Sequence, residues 1–128
     1  MNIPPITSQS FPQNPSESPV VTHLYNLWTN WYKAASQGSP DTKTATDNLI
    51  NFLKDNKNLL ENMTKNTKEP FGPAFKESFS HLYSETIKRL ESWEKQGCDR
   101  GFTTDLSEWV GDVYSWCKAA DSKSSSGF

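Results

Sequence analysis

The sequence has few cysteines, no long apolar run and no marked excess of either charge. Its 128 residues include two cysteines, and no apolar run exceeds three residues. About 18 consecutive apolar residues are needed to span a bilayer, so no transmembrane helix is expected. The 13 Lys and Arg residues against 15 Asp and Glu residues give a net charge of −2, and the lysines are scattered. Because phosphate binding requires a concentrated positive surface, nucleic acid is not an expected partner.

Motifs that carry catalytic or metal chemistry are also missing. The sequence contains no glycine-rich phosphate loop, Ser/His/Asp arrangement, CxxC or HExxH. Glu77, His81 and Glu85 follow one another at helical spacing, but they lie opposite the apolar side of their predicted helix. No second histidine is positioned to complete a coordination sphere. We therefore expect no metal, no cofactor and no enzyme activity.

The two cysteines are expected to be free thiols. Cys98 is predicted in a loop and Cys117 near the far end of the following helix, roughly 20 Å away at about 1.5 Å per residue. Arg100 beside Cys98 favours the thiolate, but no histidine is placed as its base, which favours an inert cysteine. Free thiols are typical of reducing compartments. The first residues also lack a secretory signal, so a cytoplasmic location is the expectation.

Both ends of the chain have the composition of disordered segments. Residues 1–19 contain five of the eight prolines among Ser, Gln and Asn, and residues 121–128 read DSKSSSGF. Such segments bury too little apolar surface to offset the entropy of ordering. The sequence therefore predicts one helical domain over residues 20–120, with a disordered tail at each end.

Between the tails, apolar residues recur at helical spacing, and no period-two alternation indicates a strand. The stretches Gly38-Ser39-Pro40 and Pro70-Phe71-Gly72-Pro73 interrupt the pattern, because proline and glycine end helices. The prediction is an all-α fold, a compact bundle of about four amphipathic helices spanning residues 20–37, 42–68, 73–96 and 104–120.

Asn56 falls inside the apolar stripe of the second predicted helix. A polar side chain there is costly unless it forms hydrogen bonds, so one interpretation makes it a register or specificity residue, as in coiled coils. The other is that the helix is slightly rotated and Asn56 is half exposed. The sequence does not separate the two.

All five tryptophans lie on the apolar sides of their helices. Apolar arcs of about 160° on the first and last helices exceed the roughly 100° needed to face one core. Either a chain with few leucines fills its core with large rings, or some aromatic residues face a second surface. In the second case the predicted partner-binding residues are Trp28, Trp31, Tyr32, Trp109, Tyr114 and Trp116.

Asp105, Glu108 and Asp112 form an acidic edge along the last predicted helix. Negative charge in the first turns interacts favourably with the helix dipole, which makes helix capping one explanation. The other explanation is a surface that attracts a basic partner, since surface charge steers association without being needed for the fold.

These observations favour a non-enzymatic protein-protein interaction module, such as an adaptor, regulator or chaperone-like accessory factor, acting on a protein partner or by self-association. The alternative is an amphipathic coat of a membrane surface or storage granule. In being small, helical and without catalytic motifs, the chain is similar to phasin-type granule proteins, although no motif carries that similarity. A weaker alternative is a small-molecule binder with a Trp-lined cavity.

Overall fold

The computed structural model describes residues 18–65 and 75–126, with side chains for 18–65 and 79–121. Outside this description lie residues 1–17 of the tail predicted over residues 1–19, the Pro70–Pro73 interruption and the last two residues. The described helices are α1 (Pro19–Gln37), α2 (Thr42–Asp55), α3 (Lys57–Thr64), α4 (Phe75–Lys95) and α5 (Thr103–Ser126), with a 3₁₀ turn at Arg100–Phe102. The described part is helical with no strand, which confirms the predicted all-α class.

The first helix begins and ends where local chemistry requires. Ser18 has the extended backbone of an N-cap, and Pro19 occupies the first turn, where its missing N–H costs no hydrogen bond. At the other end Gly38 adopts φ +63°, and its N–H bonds the carbonyls of Ala34 and Ala35. A left-handed residue is readily supplied by glycine, so α1 ends here and the chain reverses into α2.

The second predicted helix is two helices. Asn56 separates α2 from α3, and its side-chain amide donates to the Phe52 carbonyl at 2.9 Å. The same carbonyl also accepts the Asn56 backbone N–H at 3.0 Å, and the break lies in the Asn56 backbone, which has φ −110° and ψ 12°. The prediction of one continuous helix over residues 42–68 was therefore wrong at Asn56, and Leu59, expected in its apolar stripe, is 51% exposed on α3.

Four helices form a closed ring, in which α1 packs on α2 and α5, and α4 packs on the same two helices. Neighbours run antiparallel: Ser18 contacts Asp121 at one end of the α1–α5 pair, and Arg100 contacts Ser36 at the other. The short helix α3 contacts α4 and α5 and covers one end of the ring. This is the arrangement that short connections between amphipathic helices favour.

The core of the ring is aromatic and aliphatic. Trp31 on α1 meets Trp93 on α4 edge to face, with ring centroids 5.6 Å apart. A second group of core rings forms where Phe79 packs against Tyr83 and Trp116. The fully buried aliphatic side chains that surround these rings are Val21, Leu24, Leu49, Leu53, Leu60, Leu90, Val110 and Val113.

The last helix is longer than the sequence pattern predicts. It continues to Ser126, so residues 121–126, expected in the C-terminal tail, are helical. Asp121 is buried, and its Oδ2 accepts a hydrogen bond of 2.7 Å from the Ser18 backbone N–H. A carboxylate can be buried here because it accepts a hydrogen bond from a backbone N–H at the N-terminus of α1. Asp121 can therefore extend the packed part of α5 although it is charged.

Candidate functional site

The fold divides the predicted interaction residues into two groups. Trp31 and Trp116 are buried at 0% and 4% exposure, so they are core residues and cannot contact a partner in the folded chain. Trp28, Trp109 and Tyr114 are half-buried, and Tyr32 is 39% exposed. The predicted residues are thus divided between the core and the surface of the fold.

The exposed group centres on a cluster of three rings where α1 packs against α5. Tyr25 lies 6.0 Å from Trp28 and 5.3 Å from Tyr114, and Trp28 and Tyr114 are 5.6 Å apart between ring centroids. Tyr25 is 45% exposed. Tyr32 follows one further turn along the same side of α1. We call Tyr25, Trp28, Tyr32 and Tyr114 the aromatic surface.

Two residues of α5 hold the central ring in place. The Trp28 indole N–H donates to the Ser107 hydroxyl at 3.0 Å. One turn later, Gly111 lies directly under the indole, where an added Cβ would be 3.0 Å from a ring carbon. A ring fixed by packing on one face and by a hydrogen bond at its edge is preorganised, which reduces the entropy lost on binding a partner.

A second aromatic residue lies on the other side of α5. The Arg89 guanidinium of α4 stacks over the Trp109 ring, 4.2 Å from its centroid. Trp109 is thus covered in part by a cation of its own chain. It does not join the aromatic surface, because the exposed face of α5 lies between them.

The aromatic surface is defined by the ring contacts and exposures of its own residues. No known protein family, curated protein or solved structure matches the chain. The aromatic surface contains three of the predicted site residues, Trp28, Tyr32 and Tyr114.

Other kinds of site have less support within residues 18–65 and 79–121. No group of three His, Cys, Asp or Glu side chains there could hold a metal ion. Within the Glu77, His81 and Glu85 series, Glu77 lies outside the described side chains, His81 is exposed and Glu85 pairs with Arg89 at 3.4 Å. In the described part of the chain, no helix is both long and apolar enough to cross a membrane.

A Trp-lined ligand cavity was the weaker alternative from the sequence. A surface groove between α4 and the start of α5, with Trp93 in its lining, has a volume of about 190 Å³. Typical ligand pockets have volumes of about 300–1,000 Å³. Trp93 itself is 5% exposed, and its indole N–H already donates to the Asp99 carbonyl.

Neither cysteine is placed as a nucleophile. Burial raises the pKa of the Cys98 thiol, and the nearby Glu94 carboxyl raises it further. Arg100, which the sequence placed as a potential activator, instead donates to the Ser36 carbonyl at 3.1 Å. Burial raises the pKa of Cys117 to about 12, with a further contribution from Asp121. Both thiols therefore remain protonated and weakly nucleophilic at neutral pH.

This environment predicts slow thiol labelling. In native protein at pH 8, we expect an aromatic disulfide reagent to leave Cys117 unmodified and to react with Cys98 more slowly than with free cysteine. After unfolding in urea, both of the free thiols should react. Absorbance of the released thiolate measures both rates, and Cys98→Ser isolates the signal of Cys117. Rapid labelling of Cys117 in folded protein would contradict the buried placement.

The sequence alone missed Tyr25 as a member of the site. It lies at the edge of the first helix's apolar arc, one turn before Trp28, and the structure leaves it more exposed than Tyr32. The signal that points to it is this edge position, because a residue at the border of a wide arc is the first to lose cover from the core. For Asn56 the sequence left open a register or specificity role and half exposure; its side chain is half-buried and donates to the Phe52 carbonyl.

Proposed function

We propose that this chain is a non-enzymatic protein-interaction module that binds a protein partner through the aromatic surface on α1 and α5. The observation that carries the proposal is the three-ring cluster of Tyr25, Trp28 and Tyr114 at the surface, with Tyr25 45% exposed. Tyrosine and tryptophan are enriched at binding hot spots, since each buries a large area with few rotatable bonds.

The interior of the fold supports assigning binding to this surface. A separate aromatic core, with Trp31 against Trp93 and Phe79 against Tyr83, already holds the ring of helices together. Exposed tyrosines on α1 add little to that core. An adaptor, regulator or chaperone-like accessory role fits a rigid scaffold that presents one such surface. The two free thiols fit a cytoplasmic setting.

The test compares two folded variants in affinity capture from extract of the native host. Tyr25→Ala with Tyr32→Ala removes the most exposed rings of the aromatic surface, while Leu59→Ala removes a 51% exposed apolar side chain on α3. We expect wild type and Leu59→Ala to retain the same partner, and the double variant to retain at least about tenfold less, as hot-spot aromatics require.

Circular dichroism and urea unfolding confirm that each variant is folded. Equal retention by the double variant would contradict the proposal, as would equal loss in Leu59→Ala. Flotation of the wild-type chain with lipid vesicles or polymer granules, abolished in the double variant, would assign the same surface to a coat function instead.

A further inference from the structure

The exposed face of α5 carries a row of carboxylates between two aromatic borders. Asp105, Glu108 and Asp112 are all exposed and lie at i, i+3 and i+7 of the helix. Ser107 and Gly111, on one side of this row, support Trp28 of the aromatic surface. On the other side of the row lies Trp109 with the Arg89 guanidinium over its ring. At about 1.5 Å per residue, the row extends roughly 10 Å along α5.

These three carboxylates differ from most other acidic side chains on the described helices. Within the described side chains, none of the three makes a hydrogen bond or a salt bridge. The acids that do pair with Lys or Arg lie on α2, α3 and α4, and they are Asp47, Glu61, Glu85, Glu91 and Glu94. The α5 row thus places three carboxylates, without an ion pair in the described part of the chain, beside the aromatic surface.

The rings that border the row already accept cations from the chain itself. Arg89 lies 4.2 Å from the Trp109 centroid, and the Lys118 ammonium lies 6.0 Å from the Tyr114 centroid. Aromatic faces attract cations through their quadrupole, and a carboxylate nearby strengthens this attraction for positive charge. A surface of this kind is complementary to side chains that combine positive charge with an apolar stem, as Arg and Lys do.

From this charge pattern we infer that the occupant of the aromatic surface is a basic amphipathic helix of the partner protein. Its Arg and Lys residues face Asp105, Glu108 and Asp112, and its apolar residues cover Tyr25 and Tyr114. The i, i+3, i+7 row matches the spacing at which an amphipathic helix presents its own side chains. This inference rests on the proposed function and adds the chemistry of the partner.

The probe is an acetylated and amidated helical peptide of about 18 residues, long enough to hold helix when built from Ala, Leu and Arg. Its Arg residues repeat at i, i+3 and i+7 beside a stripe of leucines. A twin peptide carries Glu at every Arg position. Binding to the full chain is followed by the ¹⁵N-¹H signals of the tryptophan indoles, with calorimetry for affinity.

We expect the Arg peptide to shift the indole signals of Trp28 and Trp109, and the Glu peptide to leave them unchanged. Glu108→Gln with Asp112→Asn should weaken binding of the Arg peptide about tenfold and make its affinity less dependent on salt concentration. The matched control is Asp41→Asn with Asp55→Asn, which removes the same charge from exposed positions around α2, a helix across the ring from α5. The control should bind as wild type does.

Four outcomes overturn the inference. Equal binding of the Arg and Glu peptides, lost in Tyr25→Ala with Tyr32→Ala, would keep the aromatic surface as a binding site but reject a basic partner. Shifts confined to Trp93 or Trp116, or no binding of the Arg peptide, would reject this occupant, while the capture experiment still decides the proposed function. Sedimentation of the wild-type chain as a dimer that the tyrosine variants dissociate would make a second copy the occupant.

Discussion

Replacing Trp31 by alanine is expected to destabilise the chain by about 4 kcal/mol, the usual cost of removing a fully buried large aromatic side chain. Trp31 is 0% exposed and packs edge to face against Trp93 between α1 and α4. The loss combines the apolar area with a cavity that rigid helices cannot close. Urea unfolding followed by far-ultraviolet circular dichroism measures it without relying on tryptophan fluorescence.

Two further tryptophan substitutions test whether the loss of stability at Trp31 comes from packing in the core. The buried Trp31 indole N–H has no hydrogen-bond partner within the described residues, so Trp31→Phe removes an unsatisfied donor along with part of the ring. We expect it to cost about 2 kcal/mol, less than the alanine variant. Trp28→Ala, at a half-buried position three residues earlier, should cost about 1–2 kcal/mol. A larger loss at Trp28 than at Trp31 would show that the core and surface assignments are reversed.

Replacing Tyr83 by phenylalanine should destabilise the fold by about 1–3 kcal/mol, although it removes a single oxygen. The buried Tyr83 hydroxyl donates to the Leu53 carbonyl at 2.7 Å. Leu53 lies in the last turn of α2, where carbonyls lose their helical partners and need others. Phe leaves that carbonyl buried without the hydroxyl, so the midpoint of urea unfolding should fall. Thr86→Ser, a neighbouring buried substitution that keeps its hydroxyl, serves as the control.

The burial of the Tyr83 hydroxyl also predicts that the fold loses stability at alkaline pH. Burial, followed by the nearby Cys117 and Glu61, raises the pKa of Tyr83 well above the ordinary 10.0. The native state therefore retains this proton at a pH where the unfolded chain has released it. The contribution of Tyr83 is fully present below pH 10.0 and is lost as pH rises from there toward the folded pKa. Between pH 9 and 11, roughly, wild type should lose more stability than Tyr83→Phe; identical slopes would contradict the assignment.

The helical pattern was the most predictable property of the chain. The first predicted helix, over residues 20–37, corresponds to α1 at Pro19–Gln37, because Pro19 and Gly38 act locally at its ends. Asn56 shows the limit of predicting helices from the spacing of apolar residues. Apolar spacing continues through it, but the Asn56 backbone leaves helical geometry at φ −110°, which divides the predicted helix, and Leu59 on α3 is 51% exposed. A local break of this kind leaves the spacing of the apolar residues unchanged, so the spacing does not reveal it.

The end of α5 was missed for a different reason. Residues 121–126 are poor in apolar side chains, so composition predicted a tail. Asp121 is nevertheless buried against the start of α1, where the Ser18 N–H donates to it. A contact between residues about 100 positions apart has no signature in local composition, because it depends on which helix ends meet.

Helical spacing of apolar residues was enough to assign the five tryptophans to the apolar sides of amphipathic helices, and to show that two of those helices are apolar over a wider arc than one core requires. Which of the rings are buried depended on how the helices pack together. Trp31 and Trp116 point into the ring of four helices, while Tyr25, Trp28 and Tyr114 meet at the outer seam of α1 and α5. Periodicity gives the angle of a side chain about its own helix axis, whereas burial depends on where the neighbouring axes lie.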